Sequence, residues 1–202
     1  MKYAIIKRGL DFFFSLIFLI ILMPFFIIIA LLIIIDDGFP IMYRQTRVGK
    51  NGNLFKILKF RTMKRNADAL GKLTISDKDP RITKIGYVLR KYKIDELPQL
   101  WNILKGEMSF IGPRPEVPEY VALYNTEQRD VLNVRPGLSD YASLDYINEN
   151  EILSKYSTPE EAYTNIVMPQ KLQLSLKYID DMSLKTDMSI AIKTIIKIFN
   201  VN

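Results

Sequence analysis

The chain has 202 residues, 49% of them hydrophobic, and carries 28 Lys and Arg against 22 Asp and Glu, a formal charge of +6. It contains no Cys and no His, which excludes thiol nucleophiles, His-based triads, disulfide frameworks and the common zinc sites; acid-base or nucleophilic work is left to carboxylate, hydroxyl, Lys or Tyr. The basic balance points to anionic partners, whether phosphorylated metabolites, nucleic acid or lipid headgroups, and the length fits one domain with a modest core.

After Lys2, Lys7, Arg8 and Asp11, the 24 residues from Phe12 to Ile35 carry no charge and are interrupted only by Ser15 and Pro24. As a straight helix they reach about 36 Å, enough for a hydrocarbon core of about 30 Å. A cleaved signal peptide fits poorly, because the run is long and ends in Ile-Asp-Asp without a small-residue cleavage pattern. Pro24 removes the N–H bond to the Ile20 carbonyl and clashes with that turn, so it either kinks a spanning helix or breaks it into two arms of about 18 Å, neither of which crosses alone. Lys2, Lys7 and Arg8 before the segment and Arg44, Arg47 and Lys50 after it give both ends cytoplasmic character, which favours re-entry; large domains nevertheless translocate regardless of charge. The residues alone leave a re-entrant hairpin and a kinked span both open.

Ile41 to Gln45 and Leu54 to Arg61 read as two strands around Gly49-Lys50-Asn51-Gly52, with Asn51-Gly52 a type I′ turn signal, and so predict a β-hairpin. Its second strand places Lys59 and Arg61 on one face; the same residues also suit an edge strand made soluble by lysines. Residues 64–81 are polar and read as a surface loop. From Ile82 to Tyr92 the spacing of Ile82, Ile85, Leu89 and Tyr92 predicts a helix whose other faces carry Lys84, Arg90 and Lys91.

That helix runs into Lys93-Ile94-Asp95-Glu96-Leu97-Pro98-Gln99. Pro98 is pre-set for a first helical position and pushes Leu97 toward extended geometry. Asp95 and Glu96 then fall in the turn entering a helix over Leu97 to Leu104, where free N–H groups and the positive dipole end favour carboxylate, phosphate and metal-phosphate together. In a regular helix adjacent carboxylates diverge by about 100°, so a turn is the better place for both to reach one metal ion or phosphoryl group. The plainer reading is an acidic helix start.

Further on, Pro113-Arg114-Pro115 stiffens an arginine in a way that suits an oxyanion, although a proline-rich connector with an incidental Arg looks the same. Val117 to Leu132 reads as a helix, and Arg135-Pro136-Gly137 holds a second arginine before a turn. A helix start is expected at Thr158-Pro159-Glu160-Glu161. Met168 to Phe199 reads as mostly helical, with Leu184, Met188, Ala191, Ile192, Ile195 and Phe199 on one apolar face suited to the core or to a membrane interface. No repeat, low-complexity stretch or glycine-rich nucleotide loop occurs.

Taken together, Lys7-Arg8 and Asp11 before an apolar run broken by proline, Lys59-Phe60-Arg61-Thr62-Met63, Asp95-Glu96-Leu97-Pro98-Gln99, Asn102 to Gly106, Met108 to Pro115 and Val134-Arg135-Pro136-Gly137 resemble the bacterial sugar transferase family, specifically its small PglC-like monotopic phosphoglycosyl transferases. The match is ordered and covers nearly the whole chain. The resemblance implies an enzyme of the bacterial inner membrane, on the cytoplasmic face, that moves a sugar phosphate from a UDP-sugar to polyprenol phosphate and releases UMP. It begins glycoconjugate assembly and hands its product to downstream glycosyltransferases; nucleic acid is not among its partners. It implies Asp95 as nucleophile, Glu96 as second carboxylate, Mg²⁺ held by Asp95 and Glu96, and Lys59, Arg61, Arg90, Arg114 and Arg135 on substrate phosphates.

By the same resemblance the apolar segment re-enters as helix-break-helix, with the break at Met23-Pro24 where relatives carry Ser-Pro; the hydroxyl that could satisfy a freed carbonyl is absent here. Leu138 to Glu149 is acidic and aromatic and departs from the family's basic stretch. The fold expected is α+β: residues 1–38 a re-entrant membrane helix, residues 39–202 a mostly helical interfacial catalytic domain with a small β-hairpin. The competing reading is a single-span membrane protein with an external binding domain in which Asp95-Glu96 is only a cap.

Overall fold

The structure is a computed structural model that describes residues 2–65, 67 and 79–200; most of the loop expected over 64–81 lies outside the described residues. It is α+β and mostly helical. A long apolar helix α1 (Lys2–Asp37) precedes an antiparallel hairpin of β1 (Met42–Val48) and β2 (Leu54–Phe60), then α2 (Lys84–Lys91) and α3 (Gln99–Lys105). Strands β3 (Ser109–Ile111) and β4 (Gly137–Ser139) flank α4 (Pro118–Val121), and α5 (Tyr141–Asp145), α6 (Glu149–Leu153), α7 (Pro159–Ala162), α8 (Met168–Asp180) and α9 (Leu184–Phe199) complete the chain.

The hairpin follows its turn chemistry. Asn51 takes the left-handed conformation at φ 57° and Gly52 follows at φ 78°, the pair of positive φ values that a type I′ turn needs. Register pairs Met42 with Phe60 and Val48 with Leu54. On β2, Phe55 and Ile57 pack with Leu100, Ile103 and Met108, and Lys59 continues that same face by the two-residue strand period, whereas Arg61, past the strand end, turns to the end of α1. Phe60 turns the other way, into a cluster with Ile29, Ile33 and Leu89. The end of β2 is therefore covered on both sides, by α1 on one and by the turn before α3 on the other.

Helix α1 is the one element among the described residues long and apolar enough to cross a membrane. Helical structure continues through Met23-Pro24, so the two arms expected there form one element. Polar ties fasten both of its ends to the rest of the fold. Near the start, Arg8 donates to the carbonyls of Ile103 (2.6 Å) and Leu104 (2.8 Å), Asp11 accepts from the Phe110 backbone N–H (3.1 Å), and Lys7 and Tyr3 both bond to Asp187. Near the end, Asp36 accepts from the Ile85 N–H (2.9 Å), and Arg61 donates to the carbonyls of Asp37 (2.9 Å) and Gly38 (2.7 Å). Between them, Leu19, Leu22 and Phe26 pack on the β2–α3 cluster, while Phe13, Ile20, Ile21, Ile27 and Ile35 remain exposed.

Two expected elements differ. The helix predicted over Val117 to Leu132 is interrupted: α4 stops at Val121, and a 3-10 turn restarts at Gln128–Asn133. Asn125 and Gln128 cap each other reciprocally there, each side-chain oxygen accepting from the other's backbone N–H at 2.8 and 3.0 Å, the geometry of a helix start rather than a helix middle. Leu97 is helical (φ −55°, ψ −33°) rather than extended, because helical structure has already begun at Ile94. Over Met168 to Phe199 the expected helices form. On α9, Ile190 and Asp187 turn inward, whereas Leu184, Met188, Ile192, Ile195 and Phe199 stay exposed and only Ala191 of the predicted face packs on the core.

Candidate active site

Asp95 and Glu96 lie in a 3-10 turn, Ile94–Glu96, between α2 and α3. The turn is entered through Lys93, which holds the left-handed conformation at φ 55°; for a residue with a Cβ this is a strained choice, of the kind found where surrounding structure imposes it. Leu97 N–H then bonds to the Ile94 carbonyl (3.1 Å) and Leu100 N–H to the Leu97 carbonyl (3.0 Å), so the turn feeds directly into α3. Asp95 caps neither element: Lys93 and Pro98 occupy the two N-cap positions.

Glu96 is clamped. Lys59 from the end of β2 donates to its Oε1 at 2.8 Å, and Arg114 reaches both oxygens, Nη2 to Oε1 at 2.5 Å and Nη1 to Oε2 at 3.3 Å. Burial alone would raise the Glu96 pKa, but Arg114 and Lys59 together outweigh it and hold the carboxyl well below the usual range. Glu96 is thus the ionised centre of a two-cation clamp, and forked arginine contact gives that clamp direction as well as charge.

Asp95 differs. It is buried at 7% exposure, and its Oδ1 finds no hydrogen-bond partner among the described residues. Burial pushes its pKa up, and the neighbouring Glu96 adds to this; Lys59, Arg90 and Lys93 pull the other way. Burial likewise pushes the Lys59 ammonium down, against the attraction of Glu96. Adjacent carboxylates therefore have distinct roles: one neutralised by two cations, the other uncommitted in a desolvated setting. A carboxylate of the second kind is a competent nucleophile toward phosphorus when cations spread the charge of the group it attacks.

Arg114 owes its place to the loop around it. Pro113 and Pro115 are buried and Arg114 projects between them. Parallel pairing of Ser109 with Gly137 and Ile111 with Ser139 brings β3 and β4 together. The approach is so close that a Cβ on Gly137 would lie 2.2 Å from the Gly112 nitrogen. On the far side, Arg47 donates to the Pro115 carbonyl (3.1 Å) and to Glu116 (2.9 Å), and Tyr163 donates to Glu116 (2.5 Å). The fork is aimed by backbone pinned at both ends.

Of the sequence-derived candidates, the structure brings Asp95, Glu96, Lys59 and Arg114 together, with Arg90 acting on Asp95 through charge. Arg61 is buried and tied to the end of α1, with Asp37 Oδ2 at 3.1 Å. Arg135 donates to the Gly106 carbonyl (2.9 Å) at the end of α3, where cations offset the helix dipole. Met23 and Pro24 lie within α1. Sequence reasoning assigned no role to Asn102, yet its side chain locks α3 to β2: Oδ1 accepts from Leu58 N–H (3.1 Å), and Nδ2 donates to the Lys56 carbonyl (2.8 Å) and to Glu107 (2.6 Å). The available signal was an asparagine on the apolar face of a short helix. Among the described residues no cluster of three or more Asp or Glu could hold a metal by itself.

Comparison with known proteins covers the whole fold. The profile described as bacterial sugar transferase matches residues 2–201. The chain is 38% identical over 198 residues to the UDP-N-acetylgalactosamine-undecaprenyl-phosphate N-acetylgalactosaminephosphotransferase of Aeromonas hydrophila, covering 96% of this chain and 43% of that protein. It is 35% identical over 207 residues to the exopolysaccharide production protein ExoY of Sinorhizobium fredii, covering 95% and 84% of the two chains. It is 32% identical over 168 residues to the UDP-glucose:undecaprenyl-phosphate glucose-1-phosphate transferase of Escherichia coli, covering 79% of this chain and 33% of that one. The chain thus spans less than half of two of these relatives and most of the third.

Proposed function

The chain belongs to the bacterial sugar transferase family, and from that premise we propose that it transfers a sugar 1-phosphate from a UDP-sugar to a polyprenol phosphate, undecaprenyl phosphate being the acceptor named for two of its relatives. The observation that carries this reading is the pairing, among Lys59, Arg90, Lys93 and Arg114, of a clamped Glu96 with a buried Asp95 whose Oδ1 has no hydrogen-bond partner among the described residues.

In the first half-reaction an Asp95 carboxylate oxygen attacks the β-phosphorus of the UDP-sugar. A bond from aspartyl oxygen to phosphorus forms, the bond from that phosphorus to the bridging oxygen breaks, and UMP leaves with the electron pair. In the second, a phosphate oxygen of the polyprenol phosphate attacks the same phosphorus, expels the aspartate and yields a polyprenyl diphosphate sugar. Arg114 and Lys59, already converging on Glu96, hold positive charge where the diphosphate must sit. Glu96 fixes those cations and keeps them from quenching Asp95.

The donor set also fits Mg²⁺, which takes one or two protein carboxylates and completes its shell with phosphate oxygens and water. Asp95 and Glu96 are the two carboxylates that would hold it, and Glu96 Oε2 carries only the longer 3.3 Å contact to Arg114. When bound, the ion adds positive charge on the phosphate oxygens during transfer.

For the membrane segment, re-entry from the cytoplasmic face of the bacterial inner membrane is the reading with most support. Arg8 and Asp11 near one end of α1, Leu19, Leu22 and Phe26 along it and Asp36 near the other end all contact the same body, and the placement that keeps these ties holds both basic flanks of the apolar run on one face. The product is then presented on the face where downstream glycosyltransferases extend it.

The test is intact-protein mass after mixing with a panel of UDP-sugars and Mg²⁺ without acceptor. A phospho-sugar adduct mapping to Asp95, with stoichiometric UMP release and discharge by polyprenol phosphate, is the expected result. Turnover without any covalent adduct, in a quenched-flow series, would refute the two-step mechanism.

A further inference from the structure

Gln99 is a polar side chain in an unusual position. It is 1% exposed, it opens α3, and its Nε2 finds no hydrogen-bond partner among the described residues. A buried amide donor without a partner carries a desolvation cost, and a fold bears such a cost where a later partner is due.

The partner follows from position. Gln99 follows Asp95 by four residues along a stretch that is 3-10 at Ile94–Glu96 and right-handed helical at Leu97 and Pro98, so little more than one turn of backbone separates the two, and Asn102 lies three residues further on, on a face of α3 that turns into the protein. Asn102 fixes the direction of that face, since its side chain bonds to β2 at Lys56 and Leu58. Lys59, two residues further along β2, sits at the dyad. Gln99 is as buried as Asn102 and lies in the stretch of chain between the Asn102 lock and the dyad. Two buried carboxylate oxygens lack a hydrogen-bond partner among the described residues, those of Asp37 and Asp95. Asp37 lies at the end of α1 against Arg61, which leaves Asp95 Oδ1 as the acceptor within this stretch.

We propose that Gln99 is a positioning residue for the nucleophile: with the donor substrate bound, its Nε2 donates to the inner oxygen, Oδ1, of Asp95 and leaves the other carboxylate oxygen to attack phosphorus. This rests on the assignment of Asp95 as nucleophile made above. Catalytic hydrogen bonds are often open in the free enzyme and close only when substrate is bound, which accounts for a donor and an acceptor that both lack a partner among the described residues. Fixing one oxygen also fixes the carboxylate plane, so that the attacking lone pair keeps its line to the phosphorus.

The experiment measures the single-turnover rate of adduct formation on the full-length, detergent-solubilised protein with UDP-sugar and Mg²⁺, for wild type, Gln99→Met and Asp95→Asn. Methionine keeps the unbranched shape and removes the donor. Gln99→Met is expected to form the adduct about 10- to 100-fold more slowly, the scale of one lost hydrogen bond to a charged group, with the donor KM within about twofold and thermal melting within a few degrees of wild type. If Gln99→Met melts early, Gln99→Asn replaces it, keeping an amide on a stem one carbon shorter and losing reach; the same slowing at unchanged KM is expected. An adduct rate within twofold of wild type in a folded variant, or a loss expressed only in KM, would overturn the proposal while leaving Asp95 as nucleophile. An adduct absent from wild type would instead remove the Asp95 assignment and this proposal with it.

Discussion

Asp95→Asn separates chemistry from architecture, because the structure makes opposite demands of the two. Asn reproduces the shape but cannot form an acyl phosphate, so adduct formation and UMP release are expected to vanish. Stability is expected to move the other way. Asp95 is 7% exposed and burial is the largest influence on it, ahead of the attraction of Lys59, so the fold holds the carboxylate form at a desolvation cost that its neighbours do not fully offset. A buried, unpaired polar atom costs about 1–3 kcal/mol, more when charged, and the neutral amide relieves part of this while giving up the attraction of Lys59. A net gain of about 1 kcal/mol corresponds to a rise of about 2–4 °C in Tm for a domain of this size. Differential scanning fluorimetry without donor or Mg²⁺ reads the stability, and intact mass reads the adduct. A helix-cap role predicts something else: Asn serves as well as Asp at an N-cap, so activity would survive and stability would change by only a few tenths of a kcal/mol. Full turnover by the variant would refute the nucleophile assignment, and a Tm lowered by several degrees would refute the argument that Asp95 is held at a cost.

Arg114→Lys replaces a fork that spans both Glu96 oxygens with a single ammonium, and is expected to slow UMP release about 10- to 100-fold without altering the melt; an unchanged rate would make Arg114 incidental. Pro24→Ala restores a donor to the Ile20 carbonyl and removes the ring clash, so a fraction of molecules is expected to span. Single cysteines at positions 3 and 202 of a chain with none of its own report the sides, and complete same-side labelling would assign control of placement to the polar ties at the ends of α1. Asp79 is held below its ordinary pKa of 3.8, first by the forked hydrogen bonds of Arg81. A depressed folded pKa gives stability that is present above 3.8 and lost as pH falls through the folded value. The Tm difference between wild type and Asp79→Asn is therefore expected to be constant above about pH 5 and to shrink below 3.8; a difference that grows on acidification would contradict the sign.

Much of the site was legible because its chemistry is local in sequence. Asn51-Gly52 dictates a hairpin, the hairpin delivers Lys59, and the two prolines around Arg114 leave the guanidinium as the part that projects. What failed to read through was backbone choice at junctions. Pro98 disfavours helical geometry at Leu97 without forbidding it, and a 3-10 turn already begun at Ile94 supplies bonds on both sides of Leu97 that outweigh the local preference. Between Val117 and Leu132 the apolar period suggests one helix, but Asn125-x-x-Gln128 is a start signal in its middle, and the capping bonds form there. Arg61 and Arg135 looked alike as phosphate ligands because sequence shows charge and not direction; Arg61 turns to the carbonyls ending α1 and Arg135 to one ending α3.

Those two arginines expose a dependence between the apolar helix and the rest of the fold. Arg8 of α1 shares the end of α3 with Arg135, Asp11 holds the Phe110 N–H on the strand that leads to Arg114, and Asp36 holds the Ile85 N–H at the start of the helix that carries Arg90 into the dyad. These three ties from α1 thus end on elements that supply or aim a site residue, whereas Tyr3 and Lys7 bond to Asp187 on α9. Buried apolar contacts follow the same route, since Leu19, Leu22 and Phe26 pack on the cluster that joins β2 to α3. A displacement of α1 therefore loads β3, α2 and α3 together, and the relative placement of Arg114, Arg90 and Asp95 is set by how that helix is held. The apolar segment is part of the framework of the candidate site, which explains why its charged flanking residues, Arg8, Asp11 and Asp36, bond to backbone groups of the elements around that site.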